Sequence, residues 1–373
     1  MACLVDITDL SVEDIDKIIA LAEDIRNNPV KYVESCKHKI LATLFYEPST
    51  RTRLSFESAM ISLGGSVIGF SGASASSATK GETIADTVSV VSGYADVIAM
   101  RHNLDGAAYV AAAKSKVPFI NAGDGGHFHP TQTLADLLTI HSRLGRLNGL
   151  KIGICGDLKY GRTTHSLIAA LSRYADNEFV LISPPELRLP DFAKKHAGNC
   201  AITESESLEN SIADLNVLYM TRIQKERFDD PDEYMRLKGC FILDAEKMRL
   251  AKENMIVMHP LPRVDEITVD VDEDDRAAYF YQTECGRYMR MALILSLLDK
   301  KISPAITNRK LSELNVPCAN PHCVTHFERG VKSLFYSDVK TFRCAYCDSQ
   351  LKGDCKTFKK FYEEPSLFLE MLS

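Results

Sequence analysis

The sequence predicts an α/β protein with two doubly wound parallel-sheet domains joined by helices, followed by a small β-rich C-terminal module with paired cysteines. Short apolar runs, typical of buried strands, alternate with longer segments of helical period as far as Lys300. With 373 residues and 45% hydrophobic content, the chain is large enough for more than one core. Beyond Val316 the helical periodicity fades until Phe358, and this part holds five of the 11 cysteines.

Eight apolar runs are expected to form strands, and the helical segments between them favour parallel pairing. One such segment, 131–144, has apolar residues at helical spacing and ends at Gly145, so we place the boundary between the large domains there. The expected strands are 40–44, 67–70, 97–100, 119–121, 151–155, 179–182, 217–220 and 255–258. The expected domains are 1–134, 135–302 with its last helix returning to the first domain, a linker 303–315, and the module 316–373.

Charge and composition argue against nucleic-acid and membrane partners. The formal net charge is −6, from 44 basic and 50 acidic residues that are interspersed along the chain. The first residues lack the basic and apolar regions of a signal peptide, and no run approaches the ~18 apolar residues of a membrane helix. Because most cysteines outside the module stand singly in apolar surroundings, we expect a cytoplasmic protein with reduced, buried thiols.

The segment 45–57 carries the clearest chemical signal. A strand stops at Pro48, and a helix begins among hydroxyl and arginine side chains. Helix N-terminal amides bind anions, and hydroxyls and a guanidinium add donors suited to phosphate oxygens. The alternative is a plain helix cap with surface arginines, but two cations in a first turn oppose the helix dipole unless an anion compensates them. The predicted phosphate ligands are Ser49, Thr50, Arg51 and Thr52.

Further motifs follow this segment in a fixed order. The set is Phe45-Tyr-Glu-Pro-Ser-Thr-Arg-Thr-Arg53, Lys80-Gly-Glu-Thr83, Met100-Arg-His102, His129-Pro-Thr-Gln132, Gly156-Asp-Leu-Lys-Tyr-Gly-Arg-Thr163, Tyr219-Met-Thr-Arg-Ile-Gln224 and His259-Pro-Leu-Pro-Arg263. Together these motifs resemble the aspartate and ornithine carbamoyltransferases, and in order and spacing they resemble the aspartate members. The resemblance implies transfer of a carbamoyl group from carbamoyl phosphate to aspartate in pyrimidine synthesis.

The resemblance also implies a role for each matching residue. Arg51, Thr52 and Arg101 would hold the phosphate. His129 and Thr52 would donate to the carbamoyl oxygen, and Gln132 with the backbone near Leu261 would accept from the carbamoyl nitrogen. The implied carbamoyl phosphate ligands are Ser49, Thr50, Arg51, Thr52, Ser76, Arg101, His129, Gln132, Leu261 and Pro262, and the implied catalytic residues are His129, Arg101, Thr52 and Lys80.

The chemistry of these residue types agrees with the implied roles. Attack by an amine puts negative charge on the carbamoyl oxygen, which a positioned donor such as His129 can stabilise. Arg101 can neutralise the leaving phosphate, and no side chain needs to become a covalent nucleophile, so catalysis would rest on positioning and electrostatics. A histidine before proline at a strand-to-helix junction can instead simply hydrogen-bond the backbone.

The second substrate must present two carboxylates. Arg162 and Arg222 each follow a predicted strand at its C-terminal end, where α/β folds bind ligands, and guanidinium groups pair with carboxylates. Ordinary surface ion pairs are the alternative. An ornithine side chain would call for a carboxylate where Arg222 stands, so aspartate fits better. The residues expected to bind aspartate are Lys80, Arg162, Arg222 and Gln224.

Residues 71–81 are small and polar, and we expect a mobile loop there in front of a helix. The family resemblance implies that Lys80 and Ser76 reach into the active site of a neighbouring subunit, within a homotrimer or a higher homo-oligomer built from trimers. The run from Ser74 to Ser77 leaves open which serine binds phosphate.

Four cysteines in the module form a CxxxxC pair and a CxxC pair separated by 20 residues. Four thiolates at such spacing suit a tetrahedral structural zinc ion, although His322 or His326 could replace one ligand, and absence of any metal is a third possibility. The expected zinc ligands are Cys318, Cys323, Cys344 and Cys347.

The module also resembles a known domain. Its motifs Cys318-Ala-Asn-Pro-His-Cys-Val-Thr-His326 and Cys344-Ala-Tyr-Cys347 are similar to the zinc domain of the separate regulatory chain of bacterial aspartate carbamoyltransferases. That domain contacts catalytic chains, so the resemblance implies that the module docks on a catalytic domain and links trimers. Eight basic against seven acidic residues in 316–373 agree with protein contact rather than nucleic-acid binding. The regulatory chain's nucleotide-binding domain has no counterpart here, so nucleotide feedback of that kind is not expected.

The sequence is compatible with three functions. The leading one is an enzyme that makes N-carbamoyl-L-aspartate and phosphate, and the nearest rival is a carbamoyltransferase for another amino acid. A non-catalytic scaffold is the third, but it would require a lost catalytic set. All of the implied catalytic and arginine side chains stand in place, which favours an enzyme.

Overall fold

Three β-sheets organise the part of the chain that the computed structural model describes, residues 2–224, 228, 230–305, 310–314, 316–338 and 341–351. Two of the sheets have five parallel strands each, and the third has three antiparallel strands. The predicted fold class, two parallel-sheet α/β units and a β-rich C-terminal module, is therefore confirmed. None of the helices in the described residues is long and apolar enough to cross a membrane.

The first sheet has the strand order β1-β5-β4-β2-β3. Helices cover both of its faces, with α1, α2 and α5 in one apolar cluster and α3 and α4 in another. Its central strands are buried on both faces, which explains their continuous apolar sequences. The strands are β1 Cys3–Leu4, β2 Ile40–Phe45, β3 Ser66–Ser71, β4 Val97–His102 and β5 Phe119–Asp124. The helices are α1 Val12–Asn27, α2 Thr50–Ser62, α3 Ile84–Val91, α4 Ala107–Lys114 and α5 Pro130–Leu144.

The second sheet repeats this arrangement with the order β10-β9-β6-β7-β8. Helix α5 leads from the first sheet to the second, and the long helix α11 returns to lie against α1, α2 and α5. The strands are β6 Lys151–Cys155, β7 Glu178–Ile182, β8 Ala201–Ser205, β9 Val217–Met220 and β10 Ile256–Met258. The helices are α6 Arg162–Leu171, α7 Asp191–Lys194, α8 Glu209–Ile212, α9 Pro231–Leu237, α10 Ala245–Met248 and α11 Tyr279–Leu298.

The third sheet forms the cysteine module, the name used here for residues 316–373 with the preceding strand β11. It contains β11 Leu311–Glu313, β12 Leu334–Asp338 and β13 Thr341–Cys344. The module packs on the first sheet's domain so closely that both contribute to one apolar cluster, in which Val324, Phe335 and Phe342 lie with residues of α3 and α4. The helical pattern predicted from Phe358 onward lies outside the described residues.

Two strands and part of one helix departed from the sequence prediction. Neither β1 nor β8 was predicted. Strand β1 is apolar but has only two residues, and β8 is a half-exposed edge strand without a continuous apolar run. Helix α11 begins at Tyr279, before the predicted residue 285. The loop expected at 71–81 contains two short 3-10 turns, Ala73–Ala75 and Ser77–Lys80. Cys240 is exposed, contrary to the expectation of buried thiols, because it follows α9 at the protein surface.

Candidate active site and metal centre

A cavity of about 360 Å³ opens between the C-terminal ends of the two parallel sheets. This is the edge at which open parallel sheets bind ligands. Strand β4 and the segments after β2, β5, β6, β9 and β10 all contribute residues to it. The predicted residues that line it are Ser49, Arg51, Thr52, Arg101, His129, Gln132, Arg162, Arg222, Gln224, Leu261 and Pro262.

The phosphate motif lies on the first turn of α2, as its sequence predicted. Ser49 is the residue before the helix, and Thr52 is buried in the first turn. Partial burial and the nearby charge of Arg101 lower the pKa of Arg51. The Arg101 guanidinium and the Glu47 carboxylate form an ion pair, with 2.9 Å between Nη2 and Oε2, which places one acidic group beside this cationic region. The arrangement offers amides, hydroxyls and two guanidinium groups to an anion.

Arg101 and His129 approach each other over a glycine at the end of β5. Gly123 has a φ of +118°, and a Cβ there would lie 3.1 Å from Nη1 of Arg101 and 3.3 Å from Cδ2 of His129. The position therefore requires glycine both for its backbone conformation and for space. His129 directly precedes α5, and Pro130 occupies the first helical position, which needs no amide donor.

His129 is neutral in this environment. Burial lowers its pKa well below the ordinary value, and the charges of Arg162, Arg101 and Arg290 lower it further. A neutral imidazole has one N–H donor, so it can hydrogen-bond a carbamoyl oxygen without adding a positive charge.

A buried network behind the cavity orients Gln132. The side-chain nitrogen of Gln132 donates to Asp136 at 2.8 Å, and that of Gln282 donates to the same carboxylate at 2.6 Å. The oxygen of Gln282 then accepts from the backbone N–H of His259 at 3.0 Å. Burial raises the pKa of Asp136 to about 7. The network connects the helix that carries Gln132 to the loop that carries Leu261.

The sequence reasoning missed Asp136 and Gln282. Asp136 stands four residues after Gln132, and a Gln–Asp pair at this helical spacing is a signal that could have been read. Gln282 lies in the polar part of α11 that preceded the predicted helix, and nothing local marks its role.

Arg290 is a third missed residue. It lies on α11, is 4% exposed and lines the cavity. Its guanidinium donates to the Gly286 carbonyl at 2.8 Å and to the Ser55 hydroxyl at 3.2 Å. Burial lowers its pKa to about 10, which leaves the group charged near neutral pH. The apolar pattern of this helix concealed a cationic residue that faces the site.

The second sheet contributes the remaining cations. Arg162 begins α6 after β6, and Nη1 of Arg162 donates to the Gly125 carbonyl of the loop before His129. Arg222 and Gln224 follow β9, and the backbone N–H of Gln224 lies 3.5 Å from the Asp157 carboxylate. These side chains line the same cavity as the phosphate motif.

Three predicted residues do not line this cavity. Thr50 lies in the first turn of α2, and Ser76 and Lys80 lie in the 3-10 turns after β3. The Ser76 hydroxyl donates to the Ala73 carbonyl at 2.9 Å and accepts from Ala78, so it holds its own loop. Lys80 is exposed at the end of the second turn.

The four predicted metal ligands meet in the module. Their sulfur atoms all lie within 4.8 Å of one another, with Cys318 and Cys347 3.4 Å apart and Cys323 and Cys344 3.7 Å apart. A tetrahedral ion with sulfur at about 2.3 Å requires sulfur–sulfur separations of about 3.8 Å, so the four thiols fit a metal of that type. His326 instead bonds to the Cys318 carbonyl through Nε2, at 2.9 Å, and so supports the centre from outside.

Comparisons with known proteins agree with this architecture. Residues 3–142 match the carbamoyl-phosphate-binding domain model of aspartate/ornithine carbamoyltransferases, and residues 148–297 match the aspartate/ornithine-binding domain model. Residues 310–356 match the metal-binding domain of the aspartate carbamoyltransferase regulatory chain.

Individual proteins of this family share more than half of their residues with the matched part of this chain. The aspartate carbamoyltransferase catalytic subunit of Clostridium novyi is 58% identical over 297 residues, 79% of this chain and 97% of that subunit. The corresponding subunit of Clostridium perfringens is 59% identical over 300 residues, 80% of this chain and 98% of that subunit.

Solved structures give the same result. The catalytic subunit of M. jannaschii aspartate transcarbamoylase has a TM-score of 0.76 at 48% identity, covering 80% of this chain and 99% of that one. The Trypanosoma cruzi enzyme in complex with carbamoyl phosphate and aspartate has a TM-score of 0.75 at 40% identity, covering 79% and 96%. This chain therefore belongs to the aspartate/ornithine carbamoyltransferase family, as an aspartate carbamoyltransferase that continues into a metal-binding domain of the regulatory-chain type.

Proposed function

We propose that the cavity binds carbamoyl phosphate and L-aspartate together and that its residues carry the transfer that yields N-carbamoyl-L-aspartate and phosphate. The observation that carries this proposal is the charge of the cavity. Its described lining contains one carboxylate, Glu47, against five guanidinium groups, those of Arg51, Arg101, Arg162, Arg222 and Arg290. A phosphate and two carboxylates compensate such a set, and a cationic acceptor such as ornithine does not.

The phosphate would lie on the first turn of α2, between Arg51 and Arg101. Its carbamoyl oxygen would accept from neutral His129 and from the Thr52 hydroxyl, which concentrates donors where negative charge develops during attack. Asp136 engages the nitrogen of Gln132, so the Gln132 oxygen is left to accept from the carbamoyl nitrogen. The carbonyl of Leu261 would accept from the same nitrogen.

Aspartate would pair its carboxylates with Arg162 and Arg222, with Gln224 beside them. Its amine would then attack the carbamoyl carbon while the bond to the phosphate oxygen breaks. The leaving phosphate dianion would take the proton that the amine loses. The protein supplies position and fixed charge for this step, and no side chain forms a covalent intermediate.

We propose a homotrimer, or an assembly of trimers, for the complete enzyme. Lys80 and Ser76 lie outside their own chain's cavity, and their loop follows the exposed edge strand β3. Apolar side chains near that edge are exposed: Leu54 and Ile61 on α2 are 57% and 63% exposed, and Ile68 on β3 is 40% exposed. A neighbouring subunit on this face would cover them and receive Lys80.

We propose that the metal of the cysteine module is zinc. An all-thiolate tetrahedral set prefers zinc, and a centre with four protein ligands has no open position for catalysis. Its role would be to hold a domain too small to be stable without a metal and a partner. None of the ten described cysteines forms a disulfide, which supports the expected reducing, cytoplasmic compartment.

The test of the acceptor site measures product from carbamoyl phosphate with aspartate, with ornithine or with no acceptor, for the wild-type protein and Arg222→Ala. We expect turnover with aspartate alone and a loss of at least about tenfold in kcat/KM for aspartate in the variant. Arg249→Ala is the matched control because Arg249 is exposed and does not line the cavity. Equal activity of Arg222→Ala and wild type would contradict the assignment.

The shared site is tested by mixing two variants of strongly reduced activity, Lys80→Ala and Arg222→Ala, after reversible dissociation. If active sites lie between subunits, hybrid trimers contain intact sites and activity rises above that of either variant. If each chain supplies a complete site, the mixture is no more active than its components.

A further inference from the structure

The cysteine module contacts the domain of the first sheet at the start of helix α3. The Glu328 carboxylate accepts from the backbone amides of Ile84 and Ala85, the first two residues of that helix. The Thr83 hydroxyl accepts from the third amide, that of Asp86, at 3.0 Å. The first turn of α3 is therefore capped partly by its own chain segment and partly by a carboxylate from the module, which also complements the helix dipole.

The next module residue holds the loop before this helix. Nη2 of Arg329 donates to the Gly81 carbonyl at 2.8 Å. Gly81 has a φ of +85° and ends the turn Ser77–Lys80. Glu328 and Arg329 thus fix both ends of a short segment whose first residue is adjacent to Lys80.

A second contact reaches the loop that carries His129. The buried His127 ring lies between two carboxylates, with Nδ1 3.4 Å from Asp124 and Nε2 3.2 Å from Asp348 of the module. Asp348 is itself held by the Tyr336 hydroxyl at 2.8 Å. His127 stands two residues before His129, in the same loop as Gly125, whose carbonyl accepts from Arg162.

A third contact strengthens the attachment of that loop. The Asp105 side chain accepts from Gly126 at 2.6 Å and from Asn320 of the module at 2.6 Å. The Asp105 backbone also pairs with the module, accepting from Val324 at 2.9 Å. Asp105 therefore connects the His129 loop to the module through both its side chain and its backbone.

From these contacts we propose that the cysteine module is a clamp on two loops of the domain that contains the first sheet. One is the Lys80 loop, residues 72–83, and the other is the His129 loop, residues 125–129. Glu328 and Asp348 are the positioning residues of the clamp. Neither carboxylate lines the cavity, so each would act only through the loop it holds. The inference deepens the proposed function, because it rests on the roles proposed for Lys80 and His129. In addition to any role in assembly, the module would hold two active-site loops in position.

The test uses the full-length metal-loaded protein and a double-mutant cycle. Glu328→Ala should lower kcat/KM for aspartate by about tenfold in the wild-type background, because the first two amides of α3 lose the acceptor that ties them to the module. In a Lys80→Ala background the same change should cost less than about twofold, because the residue it positions is already absent. Glu328→Gln keeps an acceptor of the same length and should recover part of the activity.

The second loop is tested from both sides. Asp348→Ala and His127→Ala should each lower kcat/KM, and the double variant should be no worse than either single variant. His127 lies outside the module, so its replacement leaves the cysteine centre intact, whereas metal content must be measured for Asp348→Ala because it follows Cys347. Glu313→Ala is the matched control, since it removes an exposed ion pair with Lys332 inside the module.

A structural readout accompanies the kinetics. Hydrogen exchange at the amides of Ile84 and Ala85 should accelerate in Glu328→Ala and stay unchanged in Glu313→Ala. If Glu328→Ala behaves like Glu313→Ala, or costs the same in both Lys80 backgrounds, the clamp is wrong while the proposed function stands. An inactive wild-type protein would overturn the proposed function and the clamp together.

Discussion

The side-chain amide of Gln132 donates to the buried carboxylate of Asp136 across 2.8 Å, one turn further along α5. An amide whose nitrogen is engaged in this way presents its oxygen in the opposite direction. Asp136 is fully buried and is absent from the described cavity lining. The hydrogen-bonding character of Gln132 toward a ligand therefore depends on a residue that the ligand never meets.

Replacing Asp136 by alanine should misorient Gln132 and weaken its acceptance from the carbamoyl nitrogen. We expect kcat/KM for carbamoyl phosphate to fall by about tenfold or more, because the partly buried Gln132 amide loses the partner that orients it. Steady-state kinetics with saturating aspartate measures this change.

Tyr219→Phe provides the control for that experiment. The Tyr219 hydroxyl donates to the other Asp136 oxygen at 3.0 Å, so its removal disturbs the carboxylate without breaking the bond to Gln132. We expect a clearly smaller loss. Equal losses in the two variants would mean that the network stabilises the fold without orienting Gln132.

Gly123→Ala should weaken binding at the predicted phosphate site through a steric clash. The new methyl group would lie 3.1 Å from Nη1 of Arg101 and 3.3 Å from Cδ2 of His129, in a backbone conformation unfavourable for alanine. We expect a higher KM for carbamoyl phosphate together with a lower kcat. Gly149→Ala is the matched control, since Gly149 has a φ of +59° but nothing within 4 Å of the added carbon. If both variants lose the same activity, backbone strain alone is responsible.

Much of the fold could be predicted because seven of the eight strands predicted from apolar runs are largely buried in a parallel sheet. The eighth, β3, is an exposed edge strand whose apolar residues still marked it. Strand β8 was missed because it is half exposed at the edge of its sheet and has no apolar run. The order of strands also could not be predicted, since pairing such as β2 with β4 is decided by packing between distant segments.

Some residues of the active site could be predicted from the sequence, and others could not. Residues such as Arg51 and His129 belong to contiguous motifs, and the local chemistry of those motifs pointed to a ligand. Arg290 and Gln282 lie far along the chain in a helix that looks like core, and only the return of α11 to the first domain brings them to the cavity. The contacts of Glu328 and Asp348 depend on where the module docks, which no local pattern reveals.

Stability should fall as pH decreases through the range in which buried histidines must become charged. Burial lowers the pKa of His165 to about 4, below its ordinary value of 6.5. Between these two pKa values His165 is protonated in the unfolded chain and neutral in the folded chain. The free energy of unfolding therefore decreases as pH falls from about 6.5 to about 4. His165→Gln can keep the hydrogen bond to the Leu158 carbonyl without titrating. The pH-dependent loss between pH 7 and pH 5 should be smaller in this variant by about 2 kcal/mol.

Thermal unfolding midpoints at the two pH values measure this effect. Burial shifts the pKa of Asp136 in the opposite sense, to about 7, so its contribution to stability declines as pH rises. The comparison of His165→Gln with wild type cancels that contribution. An identical pH dependence in the two proteins would refute the assignment to His165.

Removal of the metal should detach the cysteine module and reduce the size of the assembly. The four thiols are at most 7% exposed and form the centre of the module, so without an ion the module loses the core that Phe335 and Val324 share with the catalytic domain. Sedimentation before and after chelation measures the change, with metal content determined on the same samples and zinc added back to test reversal. Cys240→Ala serves as the control, because Cys240 is an exposed thiol outside the centre and its loss should leave both assembly size and chelator response unchanged. An assembly that keeps its size after the metal is demonstrably gone would show that trimers associate without the module, and its contacts with the catalytic domain would then serve positioning alone.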